Sequence, residues 1–238
     1  MAGHSKWANI KHRKGRQDAK RGKIFSRLIR ELTVASKLGG PAPEDNPRLR
    51  TALDKALAAN MPKDTIERAI KRASDKSAGD YKEILFEGYG PSGIAILVET
   101  ATDNNTRTVA NIRSYFNKHN GNLGTSGSVA FMFDHTCNFK INKENIDIEN
   151  LEFDLIDFGV EEVFEEDTSI LIYGPFDSFG EIQKELESKK IEIISSGFDR
   201  IPNNLKEVSN EDRDENEKLL EKIENDDDVQ NVFHNMKD

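Results

Sequence analysis

Apolar positions recur with a helical period from residue 17 onward. Ile24, Leu28 and Leu32 follow one another every four residues, with Phe25, Ile29 and Ala35 beside them on one arc, while Lys20, Lys23, Arg27 and Arg30 fall on the opposite arc. The pattern predicts a helix over 17–37 that buries one side, presents cations on the other and is ended by Gly39-Gly40-Pro41. A second helix is expected to start at Asn46-Pro47, a polar cap followed by proline in the first turn, and to bury Leu49, Leu53, Ala56 and Leu57. A third begins near Pro62, buries Ile66, Ala69, Ile70 and Ala73, and turns Lys63, Arg68, Lys71 and Arg72 outward. These make a small three-helix domain closing near Ser77-Ala78-Gly79.

The period then changes. Residues 84–90 and 94–101 read as two strands joined by the turn-forming Gly90-Pro91-Ser92-Gly93, followed by a helix over 105–119 and a strand over 128–133. A new unit follows: strand 137–141, helix 145–158, strands 162–164 and 169–173, helix 176–190 and strand 191–196. That order is βαββαβ, the split ferredoxin-like motif. A helix over 212–224 and a strand over 229–233 remain, and they supply the helix and strand that the preceding ββαβ segment lacks. The fold class is therefore α+β, in three domains: a basic arm with a helical domain over 1–78, a discontinuous α/β domain over 79–134 and 208–238, and a ferredoxin-like domain over 135–207 inserted into it.

Charge changes this picture most. Within residues 1–37 stand eleven cations against Asp18 and Glu31, a net of +9 in a chain whose formal total is −9. Residues 1–76 carry +11, so the remainder carries −20. Like charge at that density calls for a polyanion to neutralise it. Lys6, Trp7, Lys11, His12, Arg13, Lys14, Arg16, Lys20, Arg21, Lys23, Arg27 and Arg30 are the candidate nucleic-acid-binding residues. Gly3, Gly15 and Gly22 interrupt the arm, which suits ordering on a ligand. Trp7, the single tryptophan, either stacks on an unpaired base or packs back onto the helices as an anchor.

Other features exclude more than they assign. No apolar run is long enough to span a bilayer, no hydrophobic stretch follows the N-terminal charges as in a secretory signal, and Cys137 has no partner for an internal disulfide. A cytoplasmic location, no membrane partner and a monomer are the defaults. Gly121-Asn122-Leu123-Gly124-Thr125-Ser126-Gly127-Ser128 lacks the Lys-Ser/Thr ending of a phosphate loop and reads as a structural turn. Thr102-Asp103-Asn104-Asn105-Thr106-Arg107 reads as a helix cap whose Arg107 is within reach of a phosphate. Residues 144–167 hold eleven acids and no Lys or Arg, as a solvated face or a dock for a basic partner would. No nucleophile–base pair and no metal-ligand spacing emerges, so no catalytic residue, metal or cofactor is assigned, and a nucleic-acid-processing enzyme is the weakest reading.

Ala2-Gly3-His4-Ser5-Lys6-Trp7-Ala8-Asn9-Ile10-Lys11-His12-Arg13-Lys14 resembles the opening signature of the YebC/PmpR family. Glu87-Gly88-Tyr89-Gly90-Pro91-Ser92-Gly93 and Asn122-Leu123-Gly124-Thr125-Ser126-Gly127-Ser128-Val129-Ala130-Phe131 resemble two further blocks of it. Asn104-Asn105 departs from the family pattern, which usually has an arginine or an asparagine–arginine pairing before Thr106-Arg107-Thr108. The resemblance implies three domains and a regulator of gene expression, not an enzyme: a DNA-binding transcriptional regulator by family description. Relatives in mitochondria and bacteria tie the family to translation as well. The alternative is thus a translation factor that binds the ribosome through ribosomal RNA. A glycine-interrupted cationic arm with no helix-turn-helix pattern favours that alternative on physical grounds.

Overall fold

In a computed structural model, residues 21–73 and 81–237 are described, with side chains from Ile24 onward in the first helix. Three helices come first: α1 (Arg21–Gly39), α2 (Pro47–Ala58) and α3 (Lys63–Arg72). Leu28, Leu32 and Ala35 of α1 meet Leu49, Ala52 and Ala56 of α2 and Ile66 and Ala69 of α3 in one apolar core. Leu57, expected inside, is 47% exposed, and Ala52 takes the buried position instead. Asn46 ties the first two helices together. Its Oδ1 accepts from the Leu49 N–H at 3.0 Å as the N-cap of α2, and its Nδ2 donates to the carbonyls of Ala35 and Gly40 at 2.8 Å each. Gly39 has to be glycine because a Cβ there would stand 2.7 Å from the Asn46 side chain, and Gly40 because its φ is +89°.

The next layer is a four-stranded antiparallel sheet built from β1 (Lys82–Tyr89), β2 (Ala95–Thr102), β3 (Asn122–Leu123) and β8 (Val229–His234), in the order β3-β1-β2-β8. Strand β2 is central and buried on both faces. Ile96 and Val98 pack under Ile112 and Phe116 of α4 (Asn105–Lys118) and Leu219 and Ile223 of α7 (Asn210–Glu224), while Ala95 and Leu97 pack with Val129, Phe133 and Phe233 on the other side. The C-terminal helix and strand thus complete a layer that the chain begins more than a hundred residues earlier, with β8 pairing along β2 from His234 to Val229.

Between them lie β4 (Phe133–Asn142), α5 (Ile148–Ile156), β5 (Glu162–Glu165), β6 (Ser169–Pro175), α6 (Phe179–Ser188) and β7 (Ile193–Pro202). Their sheet order, β5-β6-β4-β7, is that of the ferredoxin-like motif, with Phe139, Ile141, Leu155, Ile172 and Leu186 in its core. Helix α5 starts later than the periodicity suggests because Asn145 takes a left-handed φ of 62° and Asp147 caps the helix by accepting from the Asn150 N–H. The chain divides into two compact units: Asp134–Ile201, and the segments up to Phe133 and from Pro202 onward.

The strand expected over 128–133 is not there. Residues Ala130–Met132 form a 3-10 turn, and the short edge strand lies earlier, at Asn122–Leu123. The cause is Glu87, 3% exposed, whose carboxylate accepts from the N–H groups of Gly127 at 2.6 Å and of Val129 and Ala130 at 2.8 Å each. Amides committed to a carboxylate cannot form a ladder. Burial works to raise the Glu87 pKa, and the surrounding backbone N–H groups outweigh it, holding the carboxyl below its ordinary value.

Because folding lowers this pKa, Glu87 contributes stability that is fully present above the ordinary value of 4.5 and is lost as the pH falls through the lower folded value. Glu87→Gln is expected to destabilise the protein by about 1–3 kcal/mol at pH 7, since an amide replaces a charge-assisted acceptor. In urea denaturation the gap between wild type and variant should narrow as the pH falls toward 3. A gap unchanged with pH would show that the carboxylate charge contributes nothing.

Candidate nucleic-acid interface

Of the twelve candidate residues, Lys6, Trp7, Lys11, His12, Arg13, Lys14, Arg16 and Lys20 lie outside the described residues, and Arg21 and Lys23 are described as backbone of α1 only. Arg27 and Arg30 are fully described, and they do not face solvent as the two-arc pattern suggests. Arg27 Nη2 donates to the carbonyl of Glu224, the last residue of α7. Burial lowers the Arg27 pKa against the opposing pull of Glu224 and Asp227. A guanidinium at that point also complements the carbonyl end of the α7 dipole.

Arg30 has 16% of its side chain exposed. Its Nη1 donates to the Asp227 carbonyl and, at 2.9 Å, to Asp228 Oδ1, and its guanidinium carbon stands 5.6 Å from the centre of the Tyr81 ring. Asp228, 2% exposed, is the hub. It also accepts from Arg107 Nη2 at 2.8 Å, from Thr108 Oγ1 at 2.7 Å and from Thr102 Oγ1 at 3.2 Å. Burial alone would raise this carboxyl, but the hydrogen bonds from Thr108 and Arg107 and the charges of Arg30 and Arg107 lower it. The result is a buried carboxylate between two guanidiniums that fastens α1 to the sheet layer.

Two other candidate anion sites are likewise met from within. Arg107, weighed as a phosphate contact, is spent on Asp228 and on Asp103, its partner at 3.0 Å one helical turn back. Asn104 does cap α4, accepting from the Arg107 N–H at 3.0 Å. In the glycine-rich stretch the amides that would cradle a phosphate hold Glu87. Nothing in the sequence marked Asp228, since Asp226-Asp227-Asp228 reads as a solvated run. The one available signal was the need of Arg27 and Arg30 for an acid once α1 packs on a sheet.

Exposed cations remain on α3, where Arg68, Lys71 and Arg72 follow at helical spacing on the solvent side. Cys137 is buried, donates to the Pro175 carbonyl, and burial pushes its thiol up to about 12. His135 stacks on Phe176 with ring centres 3.9 Å apart, and burial, followed by the charge of Arg200, brings its pKa down to about 4. Among the described residues no group of three or more His, Cys, Asp and Glu is placed to hold a metal ion, and no helix is long and apolar enough to cross a membrane.

Asp228→Asn should cost about 3 kcal/mol, because it leaves the largely buried Arg30 charged against a neutral amide, while the half-exposed Arg107 keeps its hydration. In a double-mutant cycle read by urea denaturation, Arg30→Met should lessen that cost. Effects that simply add would show that the pair is not coupled.

Two family models match the chain. Residues 5–76 match the family description "TACO1/YebC protein N-terminal domain" and residues 81–236 match "TACO1/YebC second and third domain". A Flavobacterium johnsoniae protein named "Probable transcriptional regulatory protein" is 61% identical over 228 residues, covering 96% of each chain. A Parabacteroides distasonis protein of the same name is 57% identical over 229 residues, covering 96% of this chain and 94% of its own. The crystal structure of a conserved hypothetical protein from Aquifex aeolicus superposes with a TM-score of 0.77 at 39% identity, over 92% of this chain and 91% of that one. With the helical layer and the two sheet layers each falling inside the matched ranges, the chain belongs to the TACO1/YebC family.

Proposed function

We propose that this protein is a nucleic-acid-binding regulator of gene expression that grips phosphates with its basic N-terminal arm. The observation that carries the proposal is the charge asymmetry: +9 over the first 37 residues, attached to a remainder that brings the total to −9. The relatives' name, "Probable transcriptional regulatory protein", supports regulation of transcription. Arg27 and Arg30 drop out of the contact set because they are committed to the sheet layer. The cations left to meet phosphates are Lys6, Lys11, Arg13, Lys14, Arg16, Lys20, Arg21 and Lys23, with the exposed Arg68, Lys71 and Arg72 of α3 as a second row.

A second reading, binding to structured RNA in translation, draws on the same geometry. Helix α1 buries its apolar arc in the helical core and docks Arg27 and Arg30 on the sheet layer. A helix held on two sides delivers few side chains to base edges in a major groove. Gripping a backbone of irregular shape asks less of it. The two readings separate by comparing duplex DNA with hairpin RNA at equal salt, and by sequencing the DNA and RNA crosslinked to the protein in cells.

Two outcomes are expected. Six to eight phosphate contacts give a slope of log affinity against log salt of about −4 to −7, and replacing Lys6, Lys11, Arg13, Lys14, Arg16 and Lys20 with serine should remove most of it. Serine substitution is the sound test because deleting residues 1–37 would also remove Leu28, Leu32 and Ala35 from the helical core. A flat salt dependence in the intact protein sinks the proposal. Trp7, as the single tryptophan, also reports directly on contact. If it stacks on bases, single-stranded nucleic acid quenches its fluorescence and Trp7→Ala weakens binding by about 1–3 kcal/mol. Unchanged emission with unchanged affinity assigns it to the anchor role.

A further inference from the structure

The acidic stretch over 144–167 plays no part in gripping phosphate, yet it does not present a uniformly polar face. Helix α5 turns Leu151 and Leu155 into the core of its unit and leaves Phe153 and Ile156 in water, 77% and 57% exposed. Three positions apart on a helix, these two side chains share one face. Glu149 and Asp157 stand four residues to either side of Phe153, and Glu152 four residues before Ile156; all three are exposed. An apolar pair framed by carboxylates is a binding surface with a stated sign. Phosphate is repelled by it, so charge selects against nucleic acid and in favour of a cationic protein.

We propose that this face of α5 docks a basic amphipathic segment of a partner protein. Apolar side chains of the partner cover Phe153 and Ile156, and its Lys or Arg side chains reach Glu149, Glu152 and Asp157. The carboxylates set the partner's sign, while the apolar pair supplies the part of the affinity that salt does not erase. This surface is independent of the arm. A protein that grips a polyanion through its N-terminus would thereby be able to hold a basic protein elsewhere on the same chain, as assemblies of nucleic acid with cationic proteins require.

The test uses the full-length chain and two fluorescein-labelled probes: a synthetic amphipathic Lys/Leu helix and a Lys/Ser peptide of equal length and charge. Fluorescence anisotropy at physiological ionic strength, without nucleic acid, reads binding separately from the arm. The Lys/Leu peptide should bind more tightly than the Lys/Ser peptide, and Phe153→Ser combined with Ile156→Ser should weaken it about tenfold or more, a loss of roughly 1.4 kcal/mol. Both substitutions are on the surface, so the melting temperature should hold. Equal affinity for the two peptides, or an unchanged affinity in the double variant, overturns the proposal and leaves a solvated acidic face. Wild-type self-association that disappears in the double variant also overturns it, because a second copy is then the occupant. Direct binding of a labelled RNA hairpin, with no peptide present, to a variant carrying the six arm serines, weakened by Phe153→Ser and Ile156→Ser, would overturn it in favour of nucleic acid.

Discussion

A single buried carboxylate fastens the first helix to the sheet layer. Asp228 stands just before β8, and it is reached by Arg30 from α1, by Arg107 from α4 and by hydroxyls on both sides of the β2–α4 turn. Two guanidiniums and two hydroxyls are enough to keep it ionised in a dry site; with fewer donors its desolvation would be a net loss. The helix that carries the basic arm is therefore fastened to a rigid layer at its first turns.

Glu87 follows the same logic. Glycine-rich backbone with amides pointing one way is a ready anion site, and here the protein supplies the anion. The carboxylate comes from β1, which pairs with β3 at the start of that stretch, and it turns a stretch with good strand composition into a tight turn. Both networks show internal charges taking groups that, seen in sequence, look available to a phosphate.

Much of the fold was legible because it rests on periodicity. The helices, most strands and the return of the C-terminal helix and strand to the first sheet all follow from spacing and from the count of elements that a βαββαβ unit leaves over. The misses have a common origin. The period of α1 separates apolar from charged positions but does not say that a second layer covers the charged arc, which is where Arg27 and Arg30 go. Asp226, Asp227 and Asp228 look alike in sequence, yet Tyr115 and Asn111 hold Asp226, the two arginines hold Asp228, and Asp227 gives its carbonyl. Residues 128–133 have strand composition, and only the long-range carboxylate of Glu87 diverts their amides. Side chains from distant segments decided each of these places, and no local pattern carries that information.

The charge layout also constrains how binding can work. A total of −9 means that the molecule as a whole is weakly repelled by nucleic acid at long range. At physiological ionic strength charges are screened over about 8 Å, so neither that repulsion nor the arm's attraction acts far from the surface. Long-range steering therefore contributes little to capture. Affinity has to come from close contact, where each arm cation that meets a phosphate releases a counterion. Close contact likewise sets orientation: once the arm is engaged, the −20 carried by residues 77–238 penalises any pose that brings those surfaces within a screening length of a second phosphate strand. If the arm grips a polyanion as proposed, the acidic remainder disfavours poses that bring it close to phosphate.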